Sequence, residues 1–316
     1  MAHRDAVGPA ALLLSATVAR RYYLDGATKS DIAAELDLSR FKVARLLEQA
    51  RASGLVRIEF DPGGDFDLDL SLRLQAAHDL RHCIVVDGPD GDDELLRGAL
   101  GRAAARLLTE IVSADDVLGL AWARSLLSMR SSLQHLAACT VVQLTGALHR
   151  PDVDESAIEL ARDLAALSGG PSFCFYAPMI VPDAATARVM RTQPEIARAL
   201  DMSHQVTKAV VGVGAWQTGL STVADAVTEA ERREGRDMGV CAEIAGVQLD
   251  AEGGPVATSL TERLISIGAD RLRAVDDVIG LVYGVGKAEA VRAALRGGFV
   301  TSLVTHGAMA RALLEP

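Results

Sequence analysis

Cysteine is scarce in this 316-residue chain, and it is dispersed. Cys83, Cys139, Cys174 and Cys241 share no CxxC spacing, which excludes a zinc ribbon or a dithiol redox motif. Reduced thiols buried in a cytosolic protein are the plain expectation. Long apolar runs are missing as well. No stretch reaches the roughly 18 apolar residues of a membrane span. Residues 1–23 hold only a short apolar run before turning basic, a poor match to a secretory signal. No membrane partner is expected, and the expected setting is the cytoplasm. Positive charge is in deficit, with 32 bases against 42 acids and a net charge of −10. That rules out a uniformly basic nucleic-acid coat but leaves room for a local basic element. Repeats and low-complexity tracts are absent. What remains is ordinary globular composition, 49% hydrophobic and 23% charged, at a length that suggests about two domains.

The charge is unevenly spread. Residues 1–60 carry nine bases and seven acids, or +2, which leaves −12 for the rest. Such asymmetry points to an anionic partner for the small end. Its pattern is helical. Leu14, Val18 and Tyr22 share one face, Asp25-Gly26 breaks the helix, and Thr28 with Asp31 forms a capping box that opens a second. After a turn at Asp37-Leu38, Ser39 caps a third helix running to about Ser53. Val43, Leu46, Leu47 and Ala50 form its apolar stripe, and Phe41, Arg45, Glu48 and Gln49 lie opposite, flanked by Arg40 and Lys42.

Two features of this third helix are locally unfavourable. Arg40 and Lys42 sit in the first turn, where the helix dipole repels cations by roughly 0.3–1 kcal/mol each. Phe41 points a large apolar side chain away from the core. A DNA major groove answers both, because phosphates and guanine edges take the cations and a thymine methyl takes the ring. A three-helix subdomain with a solvated basic face is the plain alternative. The expected DNA-binding set is Lys29, Ser39, Arg40, Phe41, Lys42 and Arg45. Gly54–Phe60 alternates like a strand, either a short wing or an exit strand. Residues 61–80 are expected to be a linker, a turn-rich acidic connector followed by a helix over Leu68–Leu80 that contacts a partner chain.

From residue 81 to 316, apolar runs alternate with amphipathic stretches, which predicts an α/β domain with a mainly parallel sheet. The expected strands are Cys83–Val86, Val117–Trp122, Thr140–Leu144, Ser172–Tyr176, Ala209–Val213, Val278–Val282 and Val300–Val304. The expected helices are Asp93–Val112, Ser125–Leu136, Glu155–Leu167, Pro194–Met202, Ser221–Glu234, Lys287–Leu295 and Ala308–Leu314. Nucleotide motifs fail. Gly212-Val213-Gly214 is followed by Gln217 where a dinucleotide fingerprint needs glycine. Gly286-Lys287 lacks both the first glycine of a phosphate loop, here Leu281, and its hydroxyl residue, here Ala288. NAD, ATP and other cofactors are therefore not expected.

Ligands of such sheets bind beyond the strand C-termini, near helix N-termini. Trp122-Ala123-Arg124-Ser125 is one such strand end, with helix N–H groups, a guanidinium and a hydroxyl suited to a phosphate. Thr145-Gly146 is a second, where glycine allows close backbone approach. Tyr283-Gly284-Val285-Gly286-Lys287 is a third, with a lysine that opposes the helix dipole unless it meets an anion. An ordinary turn or a solvated side chain is the alternative at each. Glu243, within an apolar segment, either accepts sugar hydroxyls or is a surface helix residue. His204 and His306 lack metal-ligand spacing, and surface or capping roles are expected for both.

These residues resemble the SorC-type sugar-binding bacterial transcriptional regulators. The likeness runs from Ala19-Arg20-Arg21-Tyr22 through Ile32–Leu47 to Gly54–Ile58, resumes at Leu118–Leu126, Val142–Gly146 and Val211–Gly214, and ends at Lys287–Gly298 and Leu303-Val304-Thr305. It implies an N-terminal helix-turn-helix followed by a Rossmann-like α/β effector domain related to glucosamine-6-phosphate deaminases and ribose-5-phosphate isomerases. It also implies phosphorylated-sugar binding without catalysis, and a homo-oligomer, dimer or tetramer, whose operator binding responds to the ligand. Carried onto this chain, it places Arg40, Lys42 and Arg45 on double-stranded DNA, and Trp122, Ala123, Arg124, Ser125, Thr145, Gly146, Glu243, Gly284 and Lys287 around the effector. The chain departs from the pattern in several places. Trp-Gly-x-Thr is here Trp122-Ala123-Arg124-Ser125, Gly-Gly before the lysine is Tyr283-Gly284, Thr-Asp-Glu is Thr305-His306-Gly307, and a turn glycine is Asp37.

The expected function is thus a DNA-binding regulator modulated by a small carbohydrate, with no catalytic or metal residues. A sugar-phosphate isomerase or deaminase on the same fold is the alternative. It requires a general base beside the substrate carbons, and the sequence offers Glu243 without a partner acid. A pure oligomerising scaffold leaves the basic helix face unexplained.

Overall fold

A computed structural model describes residues 8–58, 66–87, 93–148 and 156–315. The chain divides into two compact units, Met1–Asp61 and Pro62–Pro316.

The first unit is built from helices α1 (Pro9–Tyr23), α2 (Lys29–Glu35) and α3 (Arg40–Ala52). Each boundary has a local cause. Gly26, at φ +68°, turns the chain after α1. Thr28 and Asp31 form the predicted capping box on α2. Asp37 takes the left-handed conformation, φ +50°, in the turn before α3. Ser39 then accepts a hydrogen bond from Lys42 N at 3.2 Å. Val18, Ile32, Val43, Leu46, Leu47 and Ala50 make the core, with Leu14, Tyr22 and Val56 packed on it. Each Val, Ile or Leu among them contributes about 1.5–3 kcal/mol on burial. The strand expected from Gly54 does not form over residues 54–58, and residues 59 and 60 lie outside those described. Gly54, at φ +77°, reverses the chain, and Val56 N donates back to Ala50 O at 3.0 Å. Among the described residues of this unit there is no strand for an extended run to pair with.

The second unit carries a seven-stranded parallel sheet. In chain order its strands are β1 (Cys83–Val86), β2 (Val117–Leu120), β3 (Thr140–Gln143), β4 (Ser172–Phe173), β5 (Lys208–Val211), β9 (Asp277–Leu281) and β10 (Ser302–His306). Their spatial order is β1-β10-β9-β5-β2-β3-β4. A smaller antiparallel sheet joins β6 (Gly214–Ala215), β7 (Ala242–Ile244) and β8 (Val247–Leu249). The helices are α4 (Leu68–His78), α5 (Asp93–Ile111), α6 (Arg124–Ser132), α7 (Ala157–Ser168), α8 (Ala184–Arg191), α9 (Pro194–Met202), α10 (Thr222–Ala226), α11 (Glu229–Asp237), α12 (Ala269–Arg273), α13 (Ala288–Arg296) and α14 (Gly307–Leu314).

Period-2 alternation along the parallel strands feeds two cores. Val85, Val142, Val211, Val278 and Leu303 face one layer with Leu74, Val291 and Leu313 of α4, α13 and α14. Val86, Val141, Val210, Ile279 and Val304 face the other with Leu100, Met129 and Leu164 of α5, α6 and α7. The central strands are buried on both sides, which is why their middles are apolar.

Several expectations are corrected. The segment around α4 is no linker: Leu70 and Leu74 are buried in the first of these cores, while the connector residues 61–65 lie outside those described. The helix expected over Ser221–Glu234 is two helices, because Thr228 starts α11 with its own capping box to Glu231. Of the four free thiols only Cys139 is fully buried; the others are half-buried. Among the described residues no helix is long and apolar enough to cross a membrane, and no cluster of His, Cys, Asp or Glu could hold a metal.

Candidate functional site

Two surfaces carry the chemistry, one in each unit. On α3 the apolar stripe faces the core, so geometry alone turns Arg40, Lys42 and Arg45 outward, and all three are exposed. Among the described residues none of them forms an ion pair. Phe41 is 90% exposed, which no packing inside this unit explains. Ser39 serves as the helix cap, leaving its hydroxyl proton for another acceptor. Lys29, at the start of α2, holds its ammonium 5.7 Å from the Tyr22 ring centroid.

The second surface is a cleft of about 90 Å³ at the carboxyl ends of β2, β3, β5 and β9. The chain runs from β2 outward to β3 and β4, then returns to place β5 on the other side of β2. Reversal of strand order at this point opens the crevice. Trp122, Ala123, Arg124, Ser125, Thr145, Gly146, Glu243 and Lys287 all line it. Of the predicted set Gly284 does not. At φ +87° it turns the chain behind the cleft and donates its N–H to Nε2 of His306 at 3.2 Å. His306 is a buried residue at the N-cap position of α14 that braces this turn, so of the surface or capping roles expected for it the surface one does not hold.

Two predicted side chains serve the framework. Ser125 donates its hydroxyl to Leu281 O at 2.8 Å, tying the start of α6 to the end of β9. Gly146 permits close approach by protein, not only by ligand, because a Cβ there would stand 2.7 Å from the Pro178–Met179 backbone. The turn after β3 is set by Gln143, fully buried. It donates to Thr145 O at 2.8 Å and accepts from Phe175 N at 3.1 Å. The methyl of Ala123 faces Gly212, where a second Cβ would approach to 2.6 Å.

Glu243 is no surface helix residue. It lies on β7, almost wholly buried in the cleft wall. Its Oε1 accepts from Gly246 N at 2.6 Å and its Oε2 from the Ser221 hydroxyl at 3.1 Å. Burial pushes its pKa above the ordinary carboxyl range, against the opposing pull of these two hydrogen bonds and the Lys287 charge. Sequence reasoning missed Ser221 and Gly212 as lining groups, and placed Tyr283 in the third strand end without assigning it to the effector. Ser221 had a usable signal as the cap of α10. Gly212 and Tyr283 reach the cleft only through the sheet topology.

The cleft thus offers Arg124, Lys287 and the first turn of α6 to an anion, and a buried carboxyl to donors. The family model described as "Putative sugar-binding domain" matches residues 65–315. The chain is 30% identical over 305 residues to the "Uncharacterized transcriptional regulator YjhU" of Escherichia coli K12, covering 93% of this chain and 92% of that one. It is 29% identical over 311 residues to the transcriptional regulator LsrR of Klebsiella pneumoniae, with 95% and 92% covered. In fold it is similar to the full-length sorbitol operon regulator SorC from Klebsiella pneumoniae, with a TM-score of 0.73 at 23% identity over 96% of this chain and 99% of that one. The chain belongs to the SorC-type family of sugar-binding transcriptional regulators.

Proposed function

We propose that this regulator reads operator DNA through a helix-turn-helix made of α2 and α3, and that a phosphorylated sugar in the cleft changes its operator affinity. The observation that carries the DNA reading is the outward face of α3, where three unpaired cations and an exposed Phe41 stand opposite a fully buried stripe. In a major groove, Arg45 and Phe41 reach base edges while Arg40, Lys42 and Lys29 meet phosphates. Paired recognition helices of a dimer or tetramer would match repeated half-sites.

Lys287, Arg124 and the start of α6 support an anionic group on the ligand, and Glu243 supports hydroxyls. Regulation then requires the sugar to bind one arrangement of the regulator more tightly than another, typically by about 1–3 kcal/mol of coupling. The test is a thermal-shift series with sugar phosphates on the full chain, followed by operator titrations in the presence of any hit. A ligand at a hundredfold excess over its Kd stabilises by about 2.7 kcal/mol. Its effect should vanish in Lys287→Ala. No shift with any sugar phosphate contradicts the cleft assignment.

An isomerase or deaminase reading draws on one observation, the raised pKa of Glu243 inside the cleft. Both oxygens of that carboxyl already accept hydrogen bonds from protein donors, which suits a fixed acceptor better than a mobile base. Turnover of ribose-5-phosphate or glucosamine-6-phosphate would favour the enzyme instead.

A further inference from the structure

Tyr283 lies two residues past the end of β9 and lines the cleft, half-buried. Its ring lies close to two cations. The Lys287 ammonium lies 4.8 Å from the ring centroid, and the Arg97 guanidinium of α5 lies 5.5 Å from it. Arg97 also donates to the phenol oxygen at 3.4 Å, which tethers the hydroxyl end of the ring. A π face carries negative charge, so it attracts the ammonium and repels an anion. An anionic group can therefore reach Lys287 only from the side that the ring leaves open. The same ring occupies volume on the cleft wall next to the ammonium.

We propose that Tyr283 is a specificity-determining residue of the cleft, positioning the Lys287 ammonium toward an anionic ligand group and limiting the bulk of the ligand beside it. This rests on the anion reading of Lys287 given above. The ring acts on the charge by its π face and on the bulk by its volume, so the two effects separate by substitution. Tyr283→Phe keeps both and loses only the long hydrogen bond from Arg97. Tyr283→Leu keeps much of the volume without the π face. Tyr283→Ala removes both.

The experiment is isothermal titration calorimetry on the full chain and these three variants. The probes are inorganic phosphate and a series of phosphorylated sugars from triose to heptose. Loss of one cation–π contact predicts that Tyr283→Leu and Tyr283→Ala weaken inorganic phosphate by roughly threefold to thirtyfold, with Tyr283→Phe close to wild type. Tyr283→Ala alone should shift the affinity ratio toward the longer sugars. Unfolding temperatures of the variants report whether the fold is intact, and Tyr283→Phe preserves the packing in any case. If the wild type binds phosphate or a sugar phosphate and Tyr283→Ala changes neither the phosphate affinity nor the length ratio, the role given to Tyr283 is overturned while the anion reading stands. If the wild type binds none of the probes, the anion reading and this proposal fall together.

Discussion

The hydroxyl of Ser221 donates to Oε2 of Glu243 across 3.1 Å, joining the cap of α10 to the middle of β7 at the cleft wall. The consequence is a pH-dependent stability of definite sign. Burial raises the folded-state pKa of Glu243, so the folded chain holds a proton that the unfolded chain has released. Its contribution therefore declines as pH rises from the ordinary carboxyl value to the raised one, and is constant above. Glu243→Gln should remove that decline and match or exceed wild-type stability at neutral pH. Glu243→Ala should instead lose about 1–3 kcal/mol for each buried donor left without an acceptor. Denaturant melts of the three chains between pH 4 and pH 8 measure this, and a pH profile for Glu243→Gln parallel to wild type would contradict it.

Asp116 behaves in the opposite sense. Burial pushes its carboxyl up, but hydrogen bonds from Lys208 at 2.7 Å, Thr207 at 2.7 Å and Ser113 outweigh burial and hold the pKa at about 2. Stability from this group is present above the unfolded value of 3.8 and is lost as pH falls from there toward 2. Asp116→Asn should cost about 2 kcal/mol at pH 7 and flatten that acid limb. Equal acid sensitivity of the variant and the wild type in urea melts would show that the charge is not held in this way.

The close packing of Gly212 against Ala123 predicts a separation of functions. A Cβ at position 212 would press on the Ala123 methyl at 2.6 Å, at the entry to α6 and the cleft. Gly212→Ala should abolish the response to a sugar phosphate at a stability cost of about 1–3 kcal/mol, while leaving operator affinity without ligand unchanged. Operator titrations with and without ligand decide it, and a wild-type response would mean that this neighbour yields freely.

Phe41 supplies a fourth test. Being 90% exposed, it contributes little to the core of the first unit. Phe41→Ala should leave the unfolding midpoint within about 0.5 kcal/mol of wild type and still weaken operator binding. A drop in stability with unchanged DNA affinity would reverse its assignment.

Much of the architecture was legible because burial on both faces leaves a plain signature. The runs at Val117 and Val278 are apolar without a break and short, as central parallel strands are. The stripe of Val43, Leu46, Leu47 and Ala50 fixed which side of α3 faces out. The β7–β8 hairpin was invisible for a specific reason. Its two-residue turn is Ala245-Gly246, with both φ values positive at +51° and +91°, and alanine there lacks the Asn or Asp that usually marks such a turn. Glu243 sits two residues before this turn, so missing the hairpin meant misplacing the acid. Helix α8 was missed although Asp183 caps it by accepting from Thr186 N. The wall positions of Gly212 and Tyr283 depend on which strands become neighbours, and a strand order of β9-β5-β2-β3 leaves no trace in local pattern.

Arg45→Ala offers the most direct test of the central claim. Arg45 is exposed on α3, outside the core of its unit, so the variant should fold normally. Fluorescence anisotropy with DNA from the chain's own upstream region, over a salt series, compares specific and unspecific binding. The expected result is a loss of about 1–3 kcal/mol in specific affinity, with the discrimination against unrelated DNA reduced. Unchanged affinity and discrimination would contradict the assignment of α3 as the element that reads the operator.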